Sequence, residues 1–89
     1  MEGIPLRMLK LKEVLRRRAC GRTLHYQHIK EGLFTPPVKT SLRSSAWPES
    51  EVEAIIRARI AGRSDEEVRK LVQRLSEARV ADANAKNRY

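Results

Sequence analysis

At 89 residues the chain has room for one domain with one modest core. Its 19 Lys/Arg against 11 Asp/Glu leave a net charge of +8, which points to a polyanion or an acidic surface as partner. No apolar run is long enough to cross a membrane and the N-terminus has no hydrophobic segment of the signal-peptide kind; the single cysteine, Cys20, cannot close an intrachain disulfide, so a reducing cytoplasm and no membrane partner are expected.

Residues 1–8, with Gly3 and Pro5, read as a flexible N-terminal arm. Leu11, Val14 and Leu15 then follow the i, i+3, i+4 spacing of a short helix, and the Arg16-Arg17-Arg18 cluster suits the negative pole at its end. A turn through Ala19 and Cys20 leads to a second helix, for which Gly21 is a tolerable N-cap. At about 100° per residue, Leu24, His25, His28 and Ile29 share an inward face. Arg22, Thr23, Tyr26, Gln27 and Lys30 share the outer one. Gly32 ends this helix as a residue free to take positive φ, and Leu33 and Phe34 can fold back onto the core.

Pro36 and Pro37 stiffen the exit into two short strands, Val38–Thr40 and Ser45–Trp47. Their connection, Ser41–Ser44, lacks the Asn-Gly or Gly-Gly pair of a tight hairpin, so a longer, mobile loop is expected as the wing. Trp47 reads as a core anchor under the hairpin rather than a base-stacking group. Pro48 suits the first turn of a third helix, with Glu49, Glu51 and Glu53 near its positive pole and Val52, Ile55, Ile56 and Ile60 as its buried stripe. Gly62 closes it, and Ser64 with Glu67 is a capping-box pattern that opens a fourth helix. Asp65–Arg69 and Glu66–Lys70 have the spacing of i,i+4 pairs there. The stripe Val68, Leu71, Val72 and Leu75 either enlarges the core or recruits a second copy or another protein.

The expected fold class is mainly α with a small β-hairpin wing: a winged helix-turn-helix over residues 9–62, an additional amphipathic C-terminal helix over 63–80, and a disordered tail over 81–89. Charge is uneven across it. Residues 1–47 hold ten Lys/Arg and three acids, residues 48–89 nine and eight, so the excess lies with the helix-turn-helix and the wing. Cations there suit DNA phosphates, with Lys12, Arg16, Arg17 and Arg18 beside the second helix and Tyr26 and Lys30 on it. Arg22, Thr23 and Gln27 are candidates for base edges, since arginine offers two donors to guanine and glutamine pairs bidentately with adenine. Arg43, with Lys39 beneath it and Ser44 beside it, would enter or flank a minor groove.

Lys12-Glu13-Val14, Arg22, Tyr26, Ile29, Gly32, Phe34, Pro37-Val38-Lys39, Arg43, Trp47 and Glu51-Val52 resemble, in order and spacing, the AlpA family of phage-type regulators. That family sits within the broader group of excisionase-like and MerR-like winged-helix proteins. The resemblance covers about residues 8–61. It implies sequence-specific binding of double-stranded DNA in a bacterial cytoplasm, with the protein nucleoid-associated when bound. It also implies one of two jobs: the leading expectation is an excisionase, a recombination directionality factor that bends attachment-site DNA for an integrase, and the alternative is a transcription regulator of mobile-element genes without a direct recombination role. If the C-terminal stripe recruits a second copy, cooperative stacking of copies along DNA would raise affinity. The chain departs from the family pattern at Gly21, where a serine is usual, at His25 and His28, where aliphatic residues are usual, and at Ser41, where a glycine usually opens the wing.

Cys20, His25 and His28 raise the question of a metal, but zinc sites need four protein ligands or three with an open position. Neutral core histidines are the better reading, and no metal or cofactor is expected. No nucleophile elbow, phosphate-cradling glycine loop or catalytic carboxylate–histidine grouping is present, so an enzyme is not expected. A reading from another class is a protein-interaction adaptor whose basic half meets an acidic partner.

Overall fold

In the computed structural model, which describes residues 6–86, the chain runs β1 (Met8–Lys10), α1 (Leu11–Arg18), α2 (Arg22–Lys30), β2 (Val38–Ser41), β3 (Ser44–Pro48), α3 (Glu49–Ile60) and α4 (Asp65–Lys86). This is the expected helical fold with a small antiparallel sheet and an added C-terminal helix, a winged helix-turn-helix. The sheet has the order β1-β3-β2.

Strand β1 was not foreseen, because three residues with Leu9 alone buried offer no alternation to read. It begins inside the stretch expected as a free arm. Met8, Leu9 and Lys10 pair with Pro48, Trp47 and Ala46, and the Arg7 carbonyl accepts the Glu49 amide at 2.8 Å. The rest of the expected arm, residues 1–5, lies outside the described residues.

The wing also differs from expectation. Ser41 pairs with Ser44, leaving Leu42 and Arg43 as a two-residue turn instead of a long loop. Tight hairpin turns usually need positive φ, which neither residue has. The register slips between Lys39 and Ser41, and such a bulge adds the local twist that an ordinary turn fails to supply.

Helix ends follow local chemistry. Ala19 closes α1 in the left-handed region at φ 56°, an uncommon conformation for a residue with a Cβ. Gly32 and Gly62 take φ of 78° and 79° after α2 and α3, as glycine permits. Pro48 is at once the last residue of β3 and the N-cap of α3, so strand passes into helix without a loop. At the start of α4 the capping box closes reciprocally: the Ser64 amide donates to Glu67 Oε1 at 2.9 Å and the Glu67 amide to Ser64 Oγ at 3.2 Å.

The core joins Leu9, Val14, Leu33, Phe34, Trp47, Val52 and Ile55 to Val68 and Val72 of α4, with Leu71 and Leu75 packed against it. The apolar stripe of α4 is therefore core. Long-range polar contacts fix the helix in place. Arg79 grips the buried carboxylate of Glu51 with two bonds, Nε to Oε2 at 2.8 Å and Nη2 to Oε1 at 2.6 Å, and also donates to the Pro36 carbonyl at 2.8 Å. Arg69 donates to the Glu31 carbonyl at 2.9 Å, and Asp65 pairs with Arg59 at 2.9 Å, so the expected Asp65–Arg69 pair does not form. The helix continues to Lys86, past the expected start of a disordered tail at residue 81; residues 87–89 lie outside the described residues.

Because α4 supplies core residues, Val68→Ala should lower the stability read by urea denaturation by roughly 2 kcal/mol. A chain ending at Arg63 should lose its cooperative unfolding transition altogether. If the shortened chain unfolds as sharply as the full one, α4 is not part of the folding unit.

Candidate nucleic-acid interface

Helix α2 presents Arg22, Thr23, Tyr26, Gln27 and Lys30 to solvent, as its periodicity predicts. On the other side His25 is fully buried, while His28 and Ile29 are half-buried. Leu24 does not join them. It is 49% exposed and lines a surface concavity with Ile56 and Ile60.

The wing and the start of α1 bend round to meet α2. Lys12, Arg22, Tyr26, Arg43 and Ser44, together with Lys10, Ser45 and the edge of Trp47, line one shallow concavity of about 350 Å³. Five residues expected at the interface are thus brought together from α1, α2 and the hairpin. Lys10 and Ser45 were missed, since Lys10 gains its place through β1, which the sequence did not reveal. Lys10, Lys12, Arg22 and Arg43 have no carboxylate partner among the described residues.

Thr23, Gln27 and Lys30 lie further along the exposed face of α2, outside that concavity. Gln27 donates its amide to Glu31 Oε2 at 2.8 Å, a contact it must exchange to meet a base. Lys39 reaches the Leu42 carbonyl at 3.4 Å and stays exposed on the wing.

The arginine cluster divides three ways. Arg16 remains 79% exposed, with a loose contact to Glu13 at 3.4 Å. Arg17 is drawn to Glu13 at 3.0 Å and Glu49 at 2.8 Å, and the hydrogen bond from Arg17 holds the Glu13 carboxyl below its ordinary pKa. Arg18 turns inward. It donates to Nδ1 of His25 at 2.7 Å and Nδ1 of His28 at 2.6 Å, with its guanidinium 4.3 Å from the centre of the Phe34 ring. Arg17 and Arg18 are therefore engaged within the fold, where the sequence led to the expectation of cations held out for phosphates.

Both histidines must accept at Nδ1, so both are neutral with the proton on Nε2. Burial, then the charge of Arg18, pushes His25 down to about 4 and lowers His28 as well. With Nδ1 of each ring occupied by a guanidinium, the pair is not offered to a metal. The His25 ring also stands edge-on to Trp47, Phe34 and Tyr26, with centroids 4.9, 5.0 and 5.2 Å away. Arg18 thus ties the end of α1 to the buried side of α2, and sets how α2 projects its outer face.

A helix-turn-helix whose second helix and wing share a cationic concavity defines a winged helix-turn-helix protein with a cationic face. Residues 7–60 match the phage AlpA family, described as the prophage CP4-57 regulatory protein (AlpA), and the chain belongs to that family. A relative from Enterobacteria phage P4, the uncharacterized protein ORF88, is 39% identical over 57 residues, spanning 64% of this chain and 65% of the relative. No solved structure matches the chain. Among the described residues, no helix is long and apolar enough to cross a membrane.

The neutral, buried His25 has a consequence for stability. Its folded-state pKa near 4 lies below the ordinary 6.5, so the unfolded chain takes up the proton first as pH falls. Stability should fall between pH 7 and pH 5 by roughly 2 kcal/mol from His25, with His28 adding in the same direction. Glu13, Asp65 and Glu67, whose pKa values are lowered, weaken the fold only below about pH 4.5. A melting temperature that stays level from pH 7 to pH 5 would contradict the neutral Arg18–histidine cluster.

Proposed function

We propose that this chain is a sequence-specific DNA-binding regulator of a phage-type mobile element, with α2 in a major groove and the wing on the neighbouring minor groove. The observation that carries the reading is the single concavity in which cations of α1, α2 and the wing meet. An α-helix fits the major groove, and a cation on a narrow hairpin can follow the deep negative potential of the minor groove. In this arrangement Arg22 addresses a base edge from the first turn of α2. Lys10, Lys12, Arg16, Tyr26 and Lys30 address phosphates, with Lys39, Arg43 and Ser44 acting from the wing. Thr23 and Gln27 read bases next to Arg22.

Transcriptional control of mobile-element genes is favoured by the family's description as a regulatory protein. A recombination role remains the second reading. There the same contacts bend attachment-site DNA beside an integrase, with neighbouring copies on the DNA. Chromatin immunoprecipitation of the tagged chain in its host separates the two. Peaks at promoters support regulation, peaks clustered beside an attachment site support excision, and no enrichment would end the DNA-binding reading.

In binding assays on the enriched site, Arg22→Ala should cost about 1–3 kcal/mol and relax preference at one base pair. Arg43→Ala should weaken all sequences alike and make the salt dependence shallower by about one unit of log–log slope. Glu31→Ala, which frees Gln27 and removes a negative charge from the end of α2, should tighten binding several-fold. Arg18→Ala should instead destabilise the fold before any phosphate contact is lost. Unchanged affinity and sequence preference in both Arg22→Ala and Arg43→Ala would place the interface elsewhere.

A further inference from the structure

A second cationic surface lies away from the α2 and wing concavity. Helices α3 and α4 diverge over an open groove of about 560 Å³ whose floor is made by the small side chains Ala54, Ala58 and Ala61. Arg57 and Arg63 stand along one wall, Lys70 and Arg74 along the other. We propose that this groove is a second phosphate-binding face, which seats the backbone of a DNA segment other than the one held by α2 and the wing.

Net charge conceals this face, because residues 48–89 are almost balanced in sequence. Three of their acids, however, are drawn to arginines outside the groove. Glu49 pairs with Arg17, Glu51 with Arg79 and Asp65 with Arg59. Glu67 is the exception: it lines the groove, caps α4 through Ser64 and makes a loose ion pair with Arg63 at 3.9 Å, which leaves the groove with four cations and one acid. Arg57, Lys70 and Arg74 have no carboxylate partner among the described residues, and all three are exposed. Lys70 and Arg74 are like charges at i,i+4, an arrangement that destabilises a helix unless an anion lies between them.

The two cationic surfaces share no lining residue. On α4, Arg69 and Arg79 reach towards Glu31 and Pro36. Lys70 and Arg74 lie roughly 100–180° further round the helix from them. The chemistry of the groove favours a polyphosphate over a protein. Its cations flank a smooth floor, whereas protein interfaces rely on aromatic and large aliphatic anchors, and the lining here offers Leu71 and alanine methyls. Four cations across an open channel match the repeated phosphates of a duplex strand. With a different surface on each side, one copy could join two duplex segments. That consequence rests on the DNA-binding reading of α2 and the wing; phosphate binding in the groove does not.

The test uses the full chain and two short duplexes carrying a donor and an acceptor fluorophore, in low salt. Wild type should bring the duplexes together, and the log–log salt slope of the second binding step should be about −3. The variant Arg57→Ala/Lys70→Ala/Arg74→Ala should keep binding to a single duplex within about twofold by anisotropy and lose the energy transfer, with an unchanged circular dichroism spectrum. A Gln version of the same triple variant should behave alike, which guards against an effect of the alanines on helix packing. Energy transfer undiminished in the triple variants would overturn the proposal. So would a wild type that takes one duplex and no second, an outcome that leaves the α2 and wing reading intact. Stronger capture of poly-glutamate than of the second duplex would make the groove a protein-binding face and overturn it too. Failure of wild type to bind any duplex would remove both readings together.

Discussion

The indole of Trp47 is the constraint around which the molecule is arranged. It is fully buried, and its N–H has one partner, the Thr35 carbonyl at 2.8 Å. A tryptophan can occupy a core at little cost when that donor is satisfied, and the requirement holds the chain after α2 against β3. The same residue pairs with Leu9 of β1 and stands edge-on to His25 of α2. Sheet, α2 and the segment joining them therefore meet at one side chain. Since Trp47 also lines the cationic concavity, it sets the distance between α2 and the wing. Core packing and the spacing of the interface are one problem with one solution.

Orientation of α2 about its own axis is a separate matter, and there the polar cluster acts. Arg18 enters a largely apolar environment because two neutral imidazoles accept its protons and Phe34 offers a ring face. Aliphatic residues at 25 and 28 would leave that half-buried guanidinium without these two acceptors for its N–H groups. The histidines and Arg18 are thus intelligible as a unit. The same unit carries a proton sensitivity, since a charge on either ring would face a cation at hydrogen-bond distance. Burial of the Glu51–Arg79 pair plays the matching part for α4, where removing one partner would leave a buried charge alone.

Local chemistry was legible and long-range pairing was not. The four helices, the glycines after α2 and α3 and the capping box at Ser64 could be read because each is specified within a few residues. Strand β1 could not, because its three residues become a strand only through Trp47 and its neighbours, more than thirty positions away. The tight wing escaped notice for a similar reason: Leu42 and Arg43 carry no turn signal, and the bulge that allows the turn is a property of two strands together. Arg16, Arg17 and Arg18 are alike in sequence and have three different fates. What separates them is the position of Glu49 and of two histidines, which a helical wheel of α1 does not contain.

That last point bears on how charge should be read in a protein of this kind. A tally by halves puts an excess of cations at residues 1–47, yet Glu49 from the second half cancels Arg17 in the first, and Glu51 and Asp65 are taken up by Arg79 and Arg59 while Arg57, Lys70 and Arg74 have no carboxylate partner among the described residues. Carboxylates do more here than offset a total. By binding particular arginines they decide which cations stay free, and so where a phosphate can be met. Among the described residues, Lys10, Lys12, Arg22 and Arg43 line a concave surface with no carboxylate partner, and a concavity walled by protein focuses their field. The placement of the acids among the described residues, more than the surplus of eight positive charges, gives the surface its pattern.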